Sequence, residues 1–322
     1  MQAVLVHQFG GPEVMTCQVV ERPEPGPEQA RVKIEVAGVN FIDVYHRKGM
    51  YPGQLPIILG VEGGGVVDAV GPGDQPVRVG ERVAFAMHQG SYAEYVVVPA
   101  WKLVPIPADI STEIAVAVMV QGLTAHYLTR SAYPLRVGDT ALIHAAAGGT
   151  GGLLVQVARL CGARVIGTVS NAEKAQQARS YGAHEVIVYT EQDFEQEVKR
   201  LTDGRGVDVV YDSVGRDTFD KSLNCLRPRG YMVLYGQSSG AVPPIDPQVL
   251  NAKGSLFLTR PYLGHYVRDR AELLQRAEEV FGWLRSGQIQ ARIDRVFPLA
   301  EARAAHEYLE GRHSKGKLLL TP

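Results

Sequence analysis

The sequence has few cysteines, no long apolar run and almost no net charge. Its 322 residues include three cysteines, Cys17, Cys161 and Cys225, which lie far apart. This odd, sparse set contains no Cys-x-x-Cys pair, which argues against a disulfide framework or a structural zinc site and is typical of a reducing compartment. No stretch reaches the roughly 18 consecutive apolar residues of a membrane helix, and the first residues lack a signal-peptide pattern. We therefore expect a cytoplasmic globular protein without a membrane partner.

The balance of charges bears on the expected partners. The formal net charge is −1, from 33 basic and 34 acidic residues. Because both signs are interleaved along the chain, no broad cationic surface is expected to hold a nucleic acid backbone. The length is sufficient for two domains, each with its own core. A small-molecule partner is therefore expected, and a nucleic acid is not.

The pattern of apolar residues changes near Val120. Before it, short β-branched runs alternate with Gly and Pro, which indicates a compact β-rich domain with few helices. After it, apolar strands alternate with helical stretches, which predicts an α/β fold with a doubly wound parallel sheet. The tail from Arg268 is expected to complete the first domain. The strands predicted in the alternating region are Thr140–Ala145, Arg164–Thr168, Glu185–Tyr189, Val207–Asp212, Gly230–Tyr235 and Ser255–Thr259.

A glycine-rich segment, HAAAGGTGG at 144–152, lies between the first strand and the first helix of this region. A pyrophosphate must approach the N–H groups of a helix N-terminus, where the dipole is positive and Cβ atoms would obstruct it. Against the pattern Gly-x-Gly-x-x-Gly, the three positions read Ala146, Gly148 and Gly151. The βα context favours a dinucleotide site over a turn that serves only packing. The expected cofactor-binding residues of the turn are Ala147, Gly148, Gly149, Thr150 and Gly151.

The end of the second predicted strand bears on the choice of nucleotide. An NAD site usually carries an acidic residue about 20 residues beyond the fingerprint. Here Thr168, Ser170 and Asn171 stand in that region, and Lys174 follows in the first turn of the next helix. Such residues would accept a 2′-phosphate that an acid would repel, which favours NADP. The alternative is that Lys174 is an ordinary solvated lysine.

With the motifs AAAGGTG, NFIDVYHRKGMYP, GVEGGGVV and QGLTAHYL, the chain resembles the quinone oxidoreductases, which include zeta-crystallin, of the medium-chain dehydrogenase/reductase superfamily. The resemblance covers essentially the whole chain. It implies a GroES-like catalytic domain formed by residues 1–123 and 264–322, and a Rossmann NADPH-binding domain formed by residues 124–263. It also implies a homodimer that pairs the edge strand Ser255–Thr259 across a two-fold axis.

The resemblance also implies roles for individual residues around the cofactor. In similar proteins a lysine, a tyrosine and a C-terminal arginine hold the 2′-phosphate, and the matching residues are Lys174, Tyr189 and Arg312. Other residues implied beside the cofactor are Asn40, Thr124, Ser170, Asn171, Ser213, Tyr235, Gly236 and Ser238.

The implied catalytic residues are Asn40, Tyr45 and Tyr51. Each would donate a hydrogen bond to an acceptor oxygen that gains negative charge. The alternatives are that the tyrosines pack as aromatics at a domain edge and that Asn40 is a turn residue. His144, which directly precedes the fingerprint, is interpreted as a structural histidine rather than a base.

No metal is expected in the site. Zinc-dependent members of the superfamily bind a catalytic zinc through a cysteine, a histidine and a second cysteine. The matching positions read Asn40, Val61 and Gln121 or its neighbours, and none of these is a usual zinc ligand.

The activity implied by the resemblance is hydride transfer from NADPH to a quinone in the interdomain cleft, where the protein orients the acceptor. Two alternatives remain open. The first is a 2-alkenal or enone reductase, in which Tyr45 or Tyr51 must act as an acid. The second is a non-catalytic NADPH-binding protein, such as a lens crystallin or an RNA-binding protein, although the neutral charge does not favour RNA.

Overall fold

The computed structural model describes all residues from Met1 to Pro322. The chain forms two compact units. The first unit comprises Met1–Leu123, Tyr266–Ser286 and Ala291–Pro322, and the second comprises Thr124–His265 and Gly287–Gln290. None of the helices combines the length and the apolar character that crossing a bilayer requires.

Sixteen strands and nine α-helices make up the two units. The strands are β1 Gln2–Val6, β2 Met15–Val19, β3 Gln29–Val39, β4 Ile57–Ile58, β5 Glu62–Val70, β6 Arg82–Ala86, β7 Tyr95–Pro99, β8 Val104–Pro105, β9 Thr140–Ile143, β10 Arg164–Val169, β11 Glu185–Val188, β12 Val207–Asp212, β13 Leu226–Leu234, β14 Phe257–Thr259, β15 Ile293–Pro298 and β16 Lys317–Thr321. The helices are α1 Phe41–Arg47, α2 Thr112–Tyr127, α3 Gly149–Leu160, α4 Ala172–Ser180, α5 Phe194–Leu201, α6 Phe219–Cys225, α7 Gln248–Ala252, α8 Arg270–Arg285 and α9 Ala302–Glu310.

The first unit is built on the long strand β3. A seven-stranded sheet runs in the order β15-β16-β3-β5-β6-β8, with β7 also paired to β3. β16 lies antiparallel to β3, with Leu319 opposite Gly38, so the end of the chain joins this sheet. A smaller sheet has the order β2-β1-β4.

The second unit contains the predicted doubly wound sheet. Its six strands are parallel and run in the order β11-β10-β9-β12-β13-β14. Counted along this unit the order is 3-2-1-4-5-6, the arrangement of dinucleotide-binding sheets. The direction of winding changes between β9 and β12, and ligands bind such sheets outside the carboxyl ends of the strands at that point.

The helix α2 was not predicted from the sequence. Its residues Ala115–Met119 are all buried, so the helix has no polar face and no amphipathic stripe that would reveal its period. By contrast, the start of α8 is marked by a capping residue. The helix begins at Arg270 because the side chain of Asp269 accepts a hydrogen bond from the N–H of Glu272 at 2.9 Å and caps the helix.

Candidate active site

A tight turn joins β9 to α3. The backbone reverses at Ala145, whose φ of 52° is left-handed, and the N–H of Ala146 donates to the carbonyl of Thr168 at 3.1 Å. Helix α3 then begins with Gly148 as its N-cap, and no side chain caps this end. Because the first N–H groups of a helix have no partner within it, those from Gly149 onward can bind an anion.

One position of this turn requires glycine, because there is no room for a Cβ atom. A Cβ on Gly151 would lie 2.1 Å from the carbonyl oxygen of Ala145, whereas one on Gly148 would lie 3.3 Å from the same atom. The helix therefore starts tightly against the turn, at the point where the direction of winding changes between β9 and β12. This cradle of backbone N–H groups without side chains fits a pyrophosphate. The turn brings together five of the predicted residues, Ala147, Gly148, Gly149, Thr150 and Gly151.

The carboxyl ends of β10 and β11 lie side by side. The N–H of Tyr189 donates to the carbonyl of Val169 at 3.0 Å, and the hydroxyl of Thr190 donates to the carbonyl of Ser170 at 2.9 Å. Tyr189 is 39% exposed. Asn171 caps α4, because its Oδ1 accepts from the backbone N–H of Lys174 at 2.9 Å. The structure thus brings Ser170, Asn171, Lys174 and Tyr189 to one edge of the sheet.

His144 and Thr168 face the interior instead of this edge. His144 Nδ1 lies 2.8 Å from Thr168 Oγ1, and Nε2 lies 2.9 Å from Ser222 Oγ. Burial lowers the pKa of His144, so the ring stays neutral. The structural interpretation of His144 is confirmed. The placement of Thr168 among the hydroxyls near the ribose is wrong, since its side chain is buried and bound to His144.

The loops after β12 and β13 are joined by hydrogen bonds. The Asp212 carboxylate accepts from the N–H groups of Val214 and Gly215 at 2.7 and 3.0 Å, which shapes the loop that begins at Ser213. The N–H of Tyr235 donates to the Asp212 carbonyl at 2.8 Å, and the N–H of Ser238 donates to the Ser213 carbonyl at 3.1 Å. These bonds hold together the predicted residues Ser213, Tyr235, Gly236 and Ser238.

In the first unit, α1 carries one of the two predicted catalytic tyrosines. The rings of Tyr45 and Tyr51 pack edge to face with their centroids 5.5 Å apart. Tyr51 also packs against His46, whose Nδ1 is buried without a hydrogen-bond partner. The predicted pair of tyrosines is therefore adjacent. Their aromatic contact is also what the packing interpretation expected.

Asn40 immediately precedes α1, and its side chain is enclosed. Its Nδ2 donates to Glu62 Oε2 at 2.8 Å and, at 3.4 Å, to the carbonyl of Gly38. Its Oδ1 accepts from Lys317 Nζ at 2.8 Å, and Lys317 forms a buried ion pair with Glu62. Asn40 is therefore a helix-start residue held by two charged side chains.

Asp43 links this cluster to the rest of the first unit. Its carboxylate accepts from the N–H of Asn40 at 2.8 Å, from the N–H of Val61 at 3.2 Å and from the Tyr92 hydroxyl at 3.1 Å. Burial raises the pKa of Asp43 to about 7. A carboxylate that ties the start of α1 to the turn before β5 keeps both segments in place.

His306 continues the network on the far side of Tyr92. The guanidinium of Arg47 donates to His306 Nδ1 at 2.7 Å, so the ring hydrogen is on Nε2, which lies 3.1 Å from the Tyr92 hydroxyl. Burial, with the nearby charges of Arg47 and Lys48, lowers the pKa of His306 to about 3. The ring is therefore neutral and serves as a fixed link.

Comparison with known proteins places this geometry in a family. Residues 26–108 match the family described as "Alcohol dehydrogenase GroES-like domain" and residues 149–279 the one described as "Zinc-binding dehydrogenase". The chain is 46% identical to the quinone oxidoreductase of Pseudomonas aeruginosa, over 98% of this chain and 97% of that protein. It is 43% identical to the 2-haloacrylate reductase of a Burkholderia species, over 100% and 99%. The solved Escherichia coli quinone oxidoreductase complexed with NADPH superposes with a TM-score of 0.98 at 42% identity, covering 100% of both chains.

The chain belongs to the quinone oxidoreductases of the medium-chain dehydrogenase/reductase superfamily. It is accordingly an oxidoreductase, and the predicted fold of a GroES-like domain and a Rossmann domain is confirmed.

The residues at the positions of the zinc ligands do not fit a catalytic zinc in this chain. Asn40 and Val61 match two of the zinc ligands, Gln121 or one of its neighbours matches the third, and all three named residues are buried. No group of three or more His, Cys, Asp or Glu residues is arranged to hold a metal ion. The side chain of Asn40 is already bound at both ends.

Two predicted cofactor residues lie apart from these clusters along the chain. Thr124 is a buried residue of α2 in the second unit. Arg312 belongs to the first unit, where it follows α9 in a left-handed conformation with φ of 59°. Its role beside Lys174 and Tyr189 stays a prediction.

Sequence reasoning missed the buried polar residues around Asn40. These residues are Asp43, Arg47, Glu62, Tyr92, His306 and Lys317, and all of them are at most 1% exposed. The available signal was the presence of charged residues inside the motifs NFIDVYHR, GVEGGG and SKGKLLL, next to residues that fold into the core. Charged residues are almost never fully buried unless they are paired.

Proposed function

We propose that this chain reduces quinones with NADPH in a reaction that requires no metal. When bound, NADPH supplies a hydride, which together with one proton from water converts the quinone to its hydroquinone and leaves NADP⁺. The main observation behind the proposal is the turn Ala145–Gly151, which lies at the switch point between β9 and β12. The next strand, β10, carries no acidic residue. Support comes from a relative at 42% identity whose structure contains NADPH.

The selection of NADPH over NADH depends on the edge formed by β10 and β11. Lys174, Tyr189 and Arg312 would bind the 2′-phosphate, and the Ser170 hydroxyl would face the same group. A 2′-phosphate forms ion pairs with lysine or arginine, which a neutral ribose hydroxyl cannot form. The residues from Thr168 to Ala172, at the end of β10 and the start of α4, include no acidic side chain that would repel the phosphate.

The acceptor is oriented by hydrogen-bond donors of the first unit. Tyr45 and Tyr51 would donate to the quinone oxygen that gains negative charge, with Asn40 as a third donor. Quinone reduction does not need an acidic group of the protein, because the product oxygen takes its proton readily from water. The three residues thus orient the acceptor and stabilise charge without needing to transfer a proton themselves.

A second candidate reaction is the reduction of activated carbon–carbon double bonds. It is favoured by the 43% identity to a 2-haloacrylate reductase. In that reaction the hydride adds to one carbon and a proton must be delivered to the neighbouring carbon, which needs a positioned acid. Tyr45 or Tyr51 would then be essential.

The variants Tyr45→Phe and Tyr51→Phe separate the two reactions. Loss of one donor should lower kcat for quinones about tenfold, whereas loss of the acid should lower 2-haloacrylate reduction by about 10²-fold or more. Tyr95→Phe, on β7 and outside the site, is the matched control and should behave like the wild type. Wild-type turnover of 2-haloacrylate with none of any quinone would replace the first candidate by the second.

We also propose a cytoplasmic homodimer. The three cysteines are unpaired, which suits a reducing compartment. β14 is an edge strand of the six-stranded sheet, and its Phe257 and Leu258 are 50% and 36% exposed. Pairing with a second copy would cover this apolar edge. Leu258→Lys should yield a monomer in analytical ultracentrifugation, whereas Val19→Lys, at an 82% exposed position, should not change the mass.

A further inference from the structure

A buried ion pair flanks Asn40 on two neighbouring strands. Glu62 is the first residue of β5 and Lys317 is the first residue of β16, and both strands pair with the end of β3. The side chains of Lys317 and Glu62 are 1% and 0% exposed. The fold therefore brings two residues that are 255 positions apart to the same point beside Asn40.

The space for this pair is provided by a glycine. A Cβ on Gly38 would lie 2.0 Å from Glu62 Oε2 and 2.8 Å from Lys317 Cε. Any other residue at this position of β3 would displace the pair. The site is thus shaped around the two charged groups.

Stability alone is a weak explanation for such a pair. Taking two charges out of water is costly, and apolar replacements of buried ion pairs are often neutral or stabilising. Here each charged group has at least two hydrogen-bond partners. Glu62 accepts from Asn40, from Lys317 and, at 2.5 Å, from the N–H of Val120, and Lys317 donates to both Glu62 and Asn40.

The two charges determine the orientation of the Asn40 amide. Its oxygen faces the ammonium of Lys317 and its NH₂ faces the carboxylate of Glu62. A flipped amide would place NH₂ against the ammonium and oxygen against the carboxylate, so only one orientation is compatible with the charges. One Nδ2 hydrogen is taken by Glu62, and the other has only the Gly38 carbonyl at 3.4 Å. A contact of that length is weak, so this hydrogen can be given to a better acceptor.

We propose that the Lys317–Glu62 pair acts on the hydride acceptor through Asn40, as positioning residues that fix the orientation of its amide and strengthen its remaining N–H donor. The ammonium withdraws electron density from the amide oxygen, and hydrogen bonds in series reinforce one another. The inference rests on the proposed function, because it assigns Asn40 a donor role toward the acceptor oxygen.

The test is a double-mutant cycle between the pair and Asn40. The variant K317Q/E62Q removes both charges while keeping similar volumes and hydrogen-bonding groups. We expect kcat to fall about threefold, less than the about tenfold loss expected for removal of a whole donor, with KM for NADPH within about twofold of the wild type. In an Asn40→Ala background the same double substitution should have no further effect on kcat.

Matched controls separate positioning from folding. R31Q/D68N removes another ion pair of this unit, with Arg31 5% exposed and its guanidinium 2.9 Å from Asp68, and should keep wild-type kcat even where it lowers stability. Lys317→Arg retains the cation and should retain most of the activity. An equal loss of kcat from K317Q/E62Q with and without Asn40 would overturn the inference. A wild type that reduces no quinone would instead overturn the proposed function.

A measurement independent of turnover completes the test. The Asn40 side-chain NH₂ should give an NMR signal, assigned by its loss in Asn40→Ala, with protons that exchange slowly with water. In K317Q/E62Q exchange should be at least about tenfold faster, because the amide is no longer held by the two charges. Unchanged protection in that variant would contradict the positioning role.

Discussion

Gly167 of β10 faces Ala146 of the phosphate-binding turn so closely that a Cβ on Gly167 would lie 2.7 Å from the Cβ of Ala146. The fingerprint of this chain carries alanine where the usual pattern has glycine, and the methyl group occupies space that the neighbouring strand leaves empty. The two positions therefore share room for a single methyl group. This explains how the turn tolerates Ala146 without moving away from the sheet.

Gly167→Ala should destabilise the protein by about 1–3 kcal/mol, as expected for overpacking of a dense interior. The double variant A146G/G167A moves the methyl group from the turn to the strand and should recover most of that loss. Urea denaturation of the wild type and both variants measures the difference. A double variant no more stable than Gly167→Ala alone would show that the two positions do not share this space.

Gly151→Ala should weaken NADPH binding by at least about tenfold, which corresponds to about 1.4 kcal/mol. The added Cβ would meet the Ala145 carbonyl at 2.1 Å, so the turn must shift away from the helix. The control is Gly282→Ala, because a Cβ at that position of α8 meets no atom within 4 Å. Calorimetric titration with NADPH should distinguish the two variants, and equal affinities would argue against a cofactor site in this turn.

Lys174→Ala should raise KM for NADPH about 10- to 100-fold and leave KM for NADH unchanged, because only the former carries the 2′-phosphate. Lys199→Ala is the control in the same unit, since Lys199 is a surface residue of α5 paired with Glu195. Steady-state kinetics with both cofactors gives the answer. An equal effect on NADH would mean that Lys174 acts on the fold or on a part that both cofactors share.

Stability in acid should depend on His306. Burial lowers its folded-state pKa from 6.5 to about 3, so between these values the unfolded chain takes up a proton that the folded protein does not. The wild type therefore loses stability as the pH falls through this range. The unfolding free energy of His306→Gln, measured from pH 7 to pH 4, should fall less steeply than that of the wild type, because this pH range covers most of the pKa shift. A decline as steep as that of the wild type would contradict a neutral His306.

Asp43 should make the stability of the protein change with pH in the opposite direction. Its folded-state pKa is raised from 3.8 to about 7 by burial, so the folded protein binds a proton that the unfolded chain releases. The wild type should lose stability from this group as the pH rises through that range. The stability of Asp43→Asn relative to the wild type should therefore increase with pH, as followed by the same denaturation series. A relative stability that does not change with pH would show that Asp43 is ionised throughout.

The parallel sheet could be predicted from sequence because its strands are short apolar runs separated by glycine turns and helical patterns. The phosphate-binding turn was equally accessible, since all of its residues are consecutive. Thr168 shows the limit of such reasoning. Whether its side chain can contact a ligand or lies in the interior depends on the face of β10 that it occupies. The Lys317–Glu62 pair was out of reach, since only the pairing of β16 and β5 around β3 brings residues 255 positions apart together.

The most direct test of the central claim is to follow the loss of reduced-nicotinamide absorbance with the wild-type protein. A panel of quinones and 2-haloacrylate serves as acceptors, with NADPH and NADH compared in parallel. The account predicts rapid oxidation of NADPH by quinones and at least about tenfold lower kcat/KM with NADH. NADPH binding without turnover of any quinone, or equal use of NADH, would contradict it.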